Sequence, residues 1–446
     1  MLATIARLVT GTALIVLIAC TPPMPASIIA VTIVGGDAVA ANWTLTLTAT
    51  VEVTGNISDA VTWTSSREDV ATIDADGHLT GHTAGTTIIT ATSTADPGKS
   101  DSIIITVNPP GTLAWIRVFG TDSHDVAIGI ATDAAGNVYA TGYTAGALAG
   151  SNAGGIDAFV RSYDSAGTLR WTRQFGTSDD DIALAIATDA AGNVYASGYT
   201  SGALEGENAG GSDAFIRSFD SAGTLRWTRQ FGTSGSDTAT GVAIDAAGNV
   251  YATGTTTGAL DGSNAGGSDA FIRSYDSAGT LRWTRQFGTS GNDHAQGIAS
   301  DAADNVYAAG YTSGAFEDSE GSSAGGSDGF VRSYDSAGTL RWTRQFSASG
   351  DDVARGIASD AAGNVYVAGY TAGAFEGSNA GGGDGFVRSY DSAGILRWTR
   401  QFGTSGDDLA LGIATDATGD IYVTGSTSGY SGNPGLAAAF LRKYGP

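Results

Sequence analysis

Residues 169–220 read LRWTRQFGTSDDDIALAIATDAAGNVYASGYTSGALEGENAGGSDAFIRSFD. Four runs in this stretch have the look of strands: Leu169 to Phe175, Ile182 to Thr188, Asn193 to Thr200 and Ala214 to Phe219. Between them, Asp189-Ala190-Ala191-Gly192-Asn193 and Asp220-Ser221-Ala222-Gly223 supply turn chemistry. No helical period of useful length interrupts them. The stretch also recurs. Trp171 has counterparts at Trp115, Trp227, Trp283, Trp342 and Trp398, with spacings of 56, 56, 56, 59 and 56 residues down the series. A fixed period of this size marks a repeat architecture. Four strands per unit, six units and Gly-rich turns predict an all-β chain whose larger part is a six-bladed β-propeller. A solenoid would need polar caps at both ends, and none is evident.

The ends of the array predict how it closes. It opens with one Trp-bearing run, Leu113 to Phe119, and stops at Phe440-Leu441-Arg442-Lys443-Tyr444, before another such run. Joining the two would complete the sixth blade and remove two exposed edges. With the Trp strand outermost, the Ile182-type strand is innermost. Its small residues (Gly129, Ala185, Gly241, Gly297, Gly356, Gly412) suit crowding near an axis.

The chain before the array divides further. Residues 29–108 alternate apolar and polar in short runs, such as Thr87-Ile88-Ile89-Thr90-Ala91, and suit a small β-sandwich. Thr21-Pro22-Pro23-Met24-Pro25 makes residues 20–28 an extended tether. Residues 1–19 carry Arg7 and the apolar run Leu14 to Ile18, which reads as a secretory signal too short to span a bilayer.

Three resemblances sit on these residues. Leu17-Ile18-Ala19-Cys20 resembles a bacterial lipobox, which implies that Cys20 becomes the lipidated first residue of an anchored lipoprotein. Val61-Thr62-Trp63-Thr64-Ser65-Ser66, Val70 to Asp74, Gly77 and Gly85-Thr86 resemble the group 2 bacterial Ig-like domain, whose members serve as spacers or adhesive modules. Asp133-Ala134-Ala135-Gly136-Asn137-Val138-Tyr139, Gly142, Asp157-Ala158-Phe159-Val160, Gly167 and Trp171 resemble the SBBP family of bacterial propeller repeats over residues 111–446. That family implies a fold and an envelope or extracellular setting, and no defined reaction.

Charge narrows the partners. The chain has 446 residues, a net charge of −23 and two lysines, Lys99 and Lys443. No basic stripe is available to neutralise phosphates, so nucleic acid is not an expected partner. The single cysteine excludes a disulfide framework.

Repeated columns carry most of the ionisable groups. Asp125, Asp181, Asp237, Asp293, Asp352 and Asp408 precede the inner strand; Asp133, Asp189, Asp245, Asp301, Asp360 and Asp416 follow it. Three Arg columns, typified by Arg170, Arg173 and Arg217, match that order and hold 17 of the 20 arginines. The structural expectation is that the Asp columns cap turns and pair with Arg between blades. The functional expectation is that the first column forms a carboxylate ring for a cation such as Ca²⁺. The four histidines, His78, His82, His124 and His294, share no common site by register, so no general base activates the many Ser and Thr. The segment Glu317-Asp318-Ser319-Glu320-Gly321 carries the three extra residues of the long period, and such insertions map to one loop face.

The expectation is therefore a lipid-anchored, exported bacterial protein of the cell envelope or surface, monomeric, with an Ig-like spacer. Its propeller is expected to bind a glycan or envelope protein without being an enzyme. The alternatives are a propeller enzyme acting on extracellular polysaccharide and a passive envelope scaffold.

Overall fold

In the computed structural model the described residues are 27–40, 44–55, 57–108, 114–320, 323, 325–428 and 438–445. The signal peptide and Cys20 lie outside them. All regular structure is β, and no helix of the described residues is long and apolar enough to cross a membrane. The chain divides into two compact units at Ala114–Trp115.

The first unit begins with a strand at Ser27–Val34, so the sandwich reaches slightly into the segment read as tether. One sheet runs Ala38–Ala40, Ser100–Asn108, Gly85–Ser93, Val61–Ser65; a second joins Thr44–Thr46, His78–Gly81 and Ala71–Ile73; Ser27–Val34 pairs with Thr48–Thr54. Alternate positions turn inward to a core of Val39, Leu47, Val70, Leu79, Ile89, Ile105 and Val107. His78 and His82 are exposed and bond Thr46 and Thr72 on neighbouring strands.

The second unit holds six antiparallel sheets in chain order. Blade two shows the pattern: Asp181–Thr188, Val194–Thr200, Asp213–Phe219 and Leu225–Phe231, hydrogen-bonded in that sequence. The Asp181-type strands of successive blades pack on one another, which makes them the inner strands, and the Trp strands are outermost. The inner strand carries a bulge at Ala183/Ala185, repeated in every blade, that increases its twist.

Blades are joined by the Trp strand. Trp171 Nε1 donates to the Ser221 carbonyl of the next blade at 3.0 Å, and Arg173 Nε donates to the Gly223 carbonyl at 2.6 Å. The indole packs 6.2 Å from Phe219 and 5.9 Å from Tyr139, so it bridges two sheets. Gly223 is needed there for two reasons. Its φ is +79°, and a Cβ would stand 2.6 Å from Trp171 Cδ2. The same turn recurs under Trp115, Trp227, Trp283 and Trp342, at Gly167, Gly279, Gly338 and Gly394.

One part of the sequence expectation is corrected. The sixth sheet holds three described strands, Asp408–Thr415, Ile421–Thr427 and Ala438–Tyr444, and residues 114–121 form no ladder with it. The opening segment is held instead by the first blade: Trp115 Nε1 donates to Ser165 O at 3.1 Å and Arg117 Nε to Gly167 O at 2.6 Å. These are the contacts that the Trp171, Trp227, Trp283 and Trp342 strands make with the blade after them, and they do not require a ladder on the other edge. The end blades consequently bare apolar surface. Ile130 is 74% exposed while its blade-two counterpart Ile186 is 8%, and Val118 and Leu441 are 92% and 71% exposed.

Substituting Gly223→Ala should lower the melting temperature. The left-handed backbone alone costs about 1–2 kcal/mol for an L residue, and displacing the Trp171 indole adds to it. A melting curve equal to that of the unaltered chain would refute this account of the blade joint.

Candidate functional site

The two Asp columns do different work. Asp189, in the second column, accepts from Ala191 N (3.0 Å) and Asn193 N (2.8 Å) on Oδ1, and from Asn193 Nδ2 (2.7 Å) and Tyr195 OH (2.8 Å) on Oδ2. Every lone-pair direction faces a donor. These donors hold its carboxyl below the usual range against the opposing effect of burial. Burial and the neighbouring Asp189 push the Tyr195 hydroxyl up to about 12. Arg226 Nη1 donates to that hydroxyl at 3.0 Å. The expected Asp–Arg pairing is thus corrected: the two residues meet through a tyrosine. Among the described residues no ion pair joins either Asp column to an arginine. The Arg217-type column lies over an aromatic face of the preceding blade instead, 4.4 Å above the Phe175 ring.

Asp181, in the first column, is fully buried. Its Oδ2 accepts from Thr177 N at 2.6 Å and Thr177 Oγ1 at 3.1 Å, which pins the outer-to-inner crossover. Its Oδ1 has no partner; the adjacent Thr200 hydroxyl points to the Gly202 carbonyl at 3.3 Å. Burial raises its pKa, and Asp157 nearby adds to the rise. Asp293 and Asp352 are raised in the same way. Asp125 departs from this pattern: in the exposed first blade the Thr121 donors hold its pKa low. Asp237 and Asp408 are buried in the same crossover position. The six carboxylates each occupy a crossover between blades. Among the described residues no three His, Cys, Asp or Glu side chains gather in a way that could hold a metal ion.

The histidines of the propeller belong to different blades. His124 lies 5.8 Å from Tyr143 in blade one. His294, in blade four, stacks on Tyr311 at 4.8 Å, with its nitrogens on Thr255 Oγ1 and Ser268 Oγ, both at 3.1 Å. Burial lowers its pKa, so the ring is neutral at neutral pH.

The long fourth unit builds a cavity with chemistry of its own. In blades one, two, three and five, a glycine at positive φ turns the loop after the second strand: Gly150, Gly206, Gly262 and Gly377. In blade four the three extra residues Asp318-Ser319-Glu320 stand before the corresponding glycine, Gly321. Ser319–Glu320 then runs parallel along the outer strand Leu340–Phe346 as a fifth strand. Asp318 pairs with Arg332, which is 6% exposed. The guanidinium lies between two rings, 4.6 Å from Phe287 and 5.1 Å from Phe316, and its Nε has no partner. Beside it is a cavity of about 680 Å³ between blades three and four, also lined by Asp269, Gln286 and Glu317. Asp269 Oδ1 is buried without a partner, while Oδ2 accepts from Gln286 Nε2 at 2.8 Å. The volume suits a small ligand. The lining offers aromatic faces, hydroxyl-accepting carboxylates and a buried guanidinium. Sequence reading singled out the insertion; it had no signal for Arg332 or Asp269, which belong to repeating columns.

Residues 36–103 match the bacterial Ig-like domain (group 2) family, and residues 114–148, 170–204, 226–260, 282–317, 341–376 and 397–433 each match the beta-propeller repeat family. The chain is a bacterial β-propeller repeat protein with an Ig-like domain. Both modules are typical of extracellular bacterial proteins. Similar curated proteins include the regulatory protein FlaEY of Caulobacter vibrioides, 28% identical over 32% of this chain and 17% of its own length. Another is a 3-O-alpha-D-galactosyl-alpha-L-arabinofuranosidase of Bifidobacterium longum, 48% identical over 14% of this chain and 6% of its own length. The chain therefore spans a small part of the relatives it matches. Among solved structures, a Xanthomonas campestris gluconolactonase is 16% identical with a TM-score of 0.36, covering 72% of this chain and 87% of its own. A PQQ-bound aldose sugar dehydrogenase of Streptomyces coelicolor is 14% identical with a TM-score of 0.37, covering 74% and 97%. The expectation that the chain is not an enzyme is corrected by this company: a glycosidase is among its similar sequences.

The two Asp columns should respond oppositely to amidation. The lowered pKa of Asp189 contributes stability present above 3.8 and lost as pH falls below it. Asp189→Asn turns an amide N–H₂ toward donors and should cost about 1–3 kcal/mol at neutral pH. Asp181 has a raised pKa, so its folded form favours the acid, and stability falls as pH rises above 3.8. Asp181→Asn should leave the melting temperature at pH 7 unchanged or raise it. Equal losses in the two variants would contradict this division of labour.

Proposed function

We propose that the protein is displayed at the bacterial cell envelope through lipidated Cys20 and that its propeller binds polar ligands, glycans foremost. The cavity between blades three and four carries this reading. Here the fourth repeat adds residues, and the added Asp318 pairs with the buried Arg332, whose guanidinium lies against two phenyl rings. Aromatic faces suit the apolar faces of sugar rings, and Asp269 and Glu317 suit their hydroxyls. The Ig-like domain then serves as spacer, and an envelope protein is the other polar ligand class. The net charge of −23 favours uncharged or cationic partners at this cavity. The unit is expected to act as a monomer.

A second reading is glycoside cleavage. Asp269 and Glu317 line the same cavity, and paired carboxylates are the usual equipment for that reaction. The arabinofuranosidase relative makes arabinose-bearing oligosaccharides the substrates to try.

Full-length protein on a glycan array should retain specific oligosaccharides. Phe316→Ala and Glu317→Gln should each weaken retention by about tenfold, the scale of one lost contact of roughly 1–2 kcal/mol. Incubation of the retained sugars with the protein separates the two readings: released monosaccharide, abolished by Asp269→Asn, marks turnover. Retention that ignores all three substitutions would move the site elsewhere.

A further inference from the structure

Near-identical repeats make their exceptions legible. One inner-strand position reads Ile128, Leu184, Thr240, Gln296, Arg355 and Leu411 across the six blades, while the glycine or alanine after it barely varies. Three polar residues thus follow one another on three neighbouring blades, between apolar residues on either side. They are linked across the blade boundaries. Thr240 Oγ1 donates to the Ala295 carbonyl at 2.7 Å, and Arg355 Nη1 donates to Gln296 Oε1 at 3.2 Å. Arg355 is the only arginine of residues 115–446 outside the three repeating columns.

Its surroundings leave it undersatisfied. Of five N–H donors, Gln296 takes one. Nε is buried with no partner, and among the described residues no carboxylate stands at ion-pair distance. The half-buried arginines of the Arg217-type column also lack a carboxylate, but each of Arg161, Arg217, Arg273 and Arg388 covers a phenyl ring at 4.4–4.6 Å, and Arg355 has no such close ring beneath it. The guanidinium lies 5.9 Å from the Tyr370 ring. Both residues line a cavity of about 500 Å³ between blades five and six, whose wall also carries Asp351 and Asp407. Asp351 Oδ1 accepts from Ser327 N at 2.8 Å and Asp407 Oδ1 from Gly383 N at 3.0 Å, which orients both side chains and leaves each an outer oxygen.

We infer that this cavity binds an acidic sugar residue, with Arg355 holding its carboxylate, the Tyr370 ring beside the sugar and Asp351 and Asp407 accepting its hydroxyls. A planar guanidinium matches a carboxylate in a way that an ammonium does not. Two flanking carboxylates repel a bare anion, so a polyhydroxylated acid fits better than an inorganic one. This site lies two blade interfaces away from the cavity of blades three and four and stands independently of it.

The test is calorimetric titration of the full-length protein with short oligogalacturonates, set beside the methyl-esterified oligomer, a neutral galacto-oligosaccharide and a sulfated oligosaccharide. The free acid should bind, and esterification should weaken binding at least about tenfold. Arg355→Leu places there what blades two and six already carry, and Tyr370→Thr places what blade three carries as Thr255, so both should keep the folded transition. Both should lose affinity, R355L by at least about tenfold. Should R355L fail to fold, Arg355→Gln, the residue of blade four, serves in its place. Glu317→Gln, in the other cavity, should leave this binding unchanged, which separates the two sites. No binding of the free acid, equal binding by R355L, or preference for the sulfated or neutral sugar would overturn the assignment.

Discussion

The structure depends on one contact repeated at the boundaries that lead into blades two, three, four and five. A tryptophan and an arginine, two residues apart on the outer strand, reach the carbonyls of an Asp-Ser-Ala-Gly turn in the following blade. The turn carbonyls would otherwise be unsatisfied beneath an aromatic ring, and the indole N–H would be buried without an acceptor. Each group answers the other. The glycine at positive φ brings the turn close enough for the indole to lie flat on it, and a side chain there would force the sheets apart. The contact is heterologous: the outer strand of one blade meets a turn of the next.

Inside a blade the polar groups are arranged by how well each is satisfied. The Asp189-type carboxylate is surrounded by donors and ties turn, tyrosine and arginine into one network. The Asp181-type carboxylate has donors on one oxygen and none on the other, and sits where strands cross from one blade to the next. Blade four shows how tightly this crossover is specified. It is followed by Ser347-Ala348 where blades one, two, three and five are followed by Gly-Thr, so one hydroxyl is lost and another gained at adjacent positions. With that exchange Asp352 keeps a backbone donor, Ala348 N at 2.6 Å.

The periodic parts of the protein were legible in its sequence. The Trp spacing, the four runs per unit and the turn residues lead to six four-stranded blades, because strand alternation and glycine turns are local properties repeated six times over. The insertion in the fourth unit was visible for the same reason, as a break in a strict period. Three things were not. The Asp–Arg partnership was misjudged because a tyrosine hydroxyl stands between the two residues, and sequence order does not reveal an intermediary. The cavity residues Arg332 and Asp269 look like every other member of their columns; only the displaced loop makes Arg332 the fully enclosed one. The metal reading of the first Asp column assumed that six equivalent side chains converge, whereas each turns into its own blade interface.

The sequence by itself thus determined the repeat, the strand order within a blade and the turns between strands, since all of these follow from short-range pattern. Tertiary structure alone decided where the chain's ends come to rest and which exceptions become neighbours. The opening Trp115 segment is held by blade one and forms no ladder with the sixth sheet, a choice between two partners far apart along the chain. Gln296 and Arg355 are 59 residues apart and meet only because successive inner strands are stacked side by side. Contacts of that range depend on how the blades are set against each other, which no local pattern encodes.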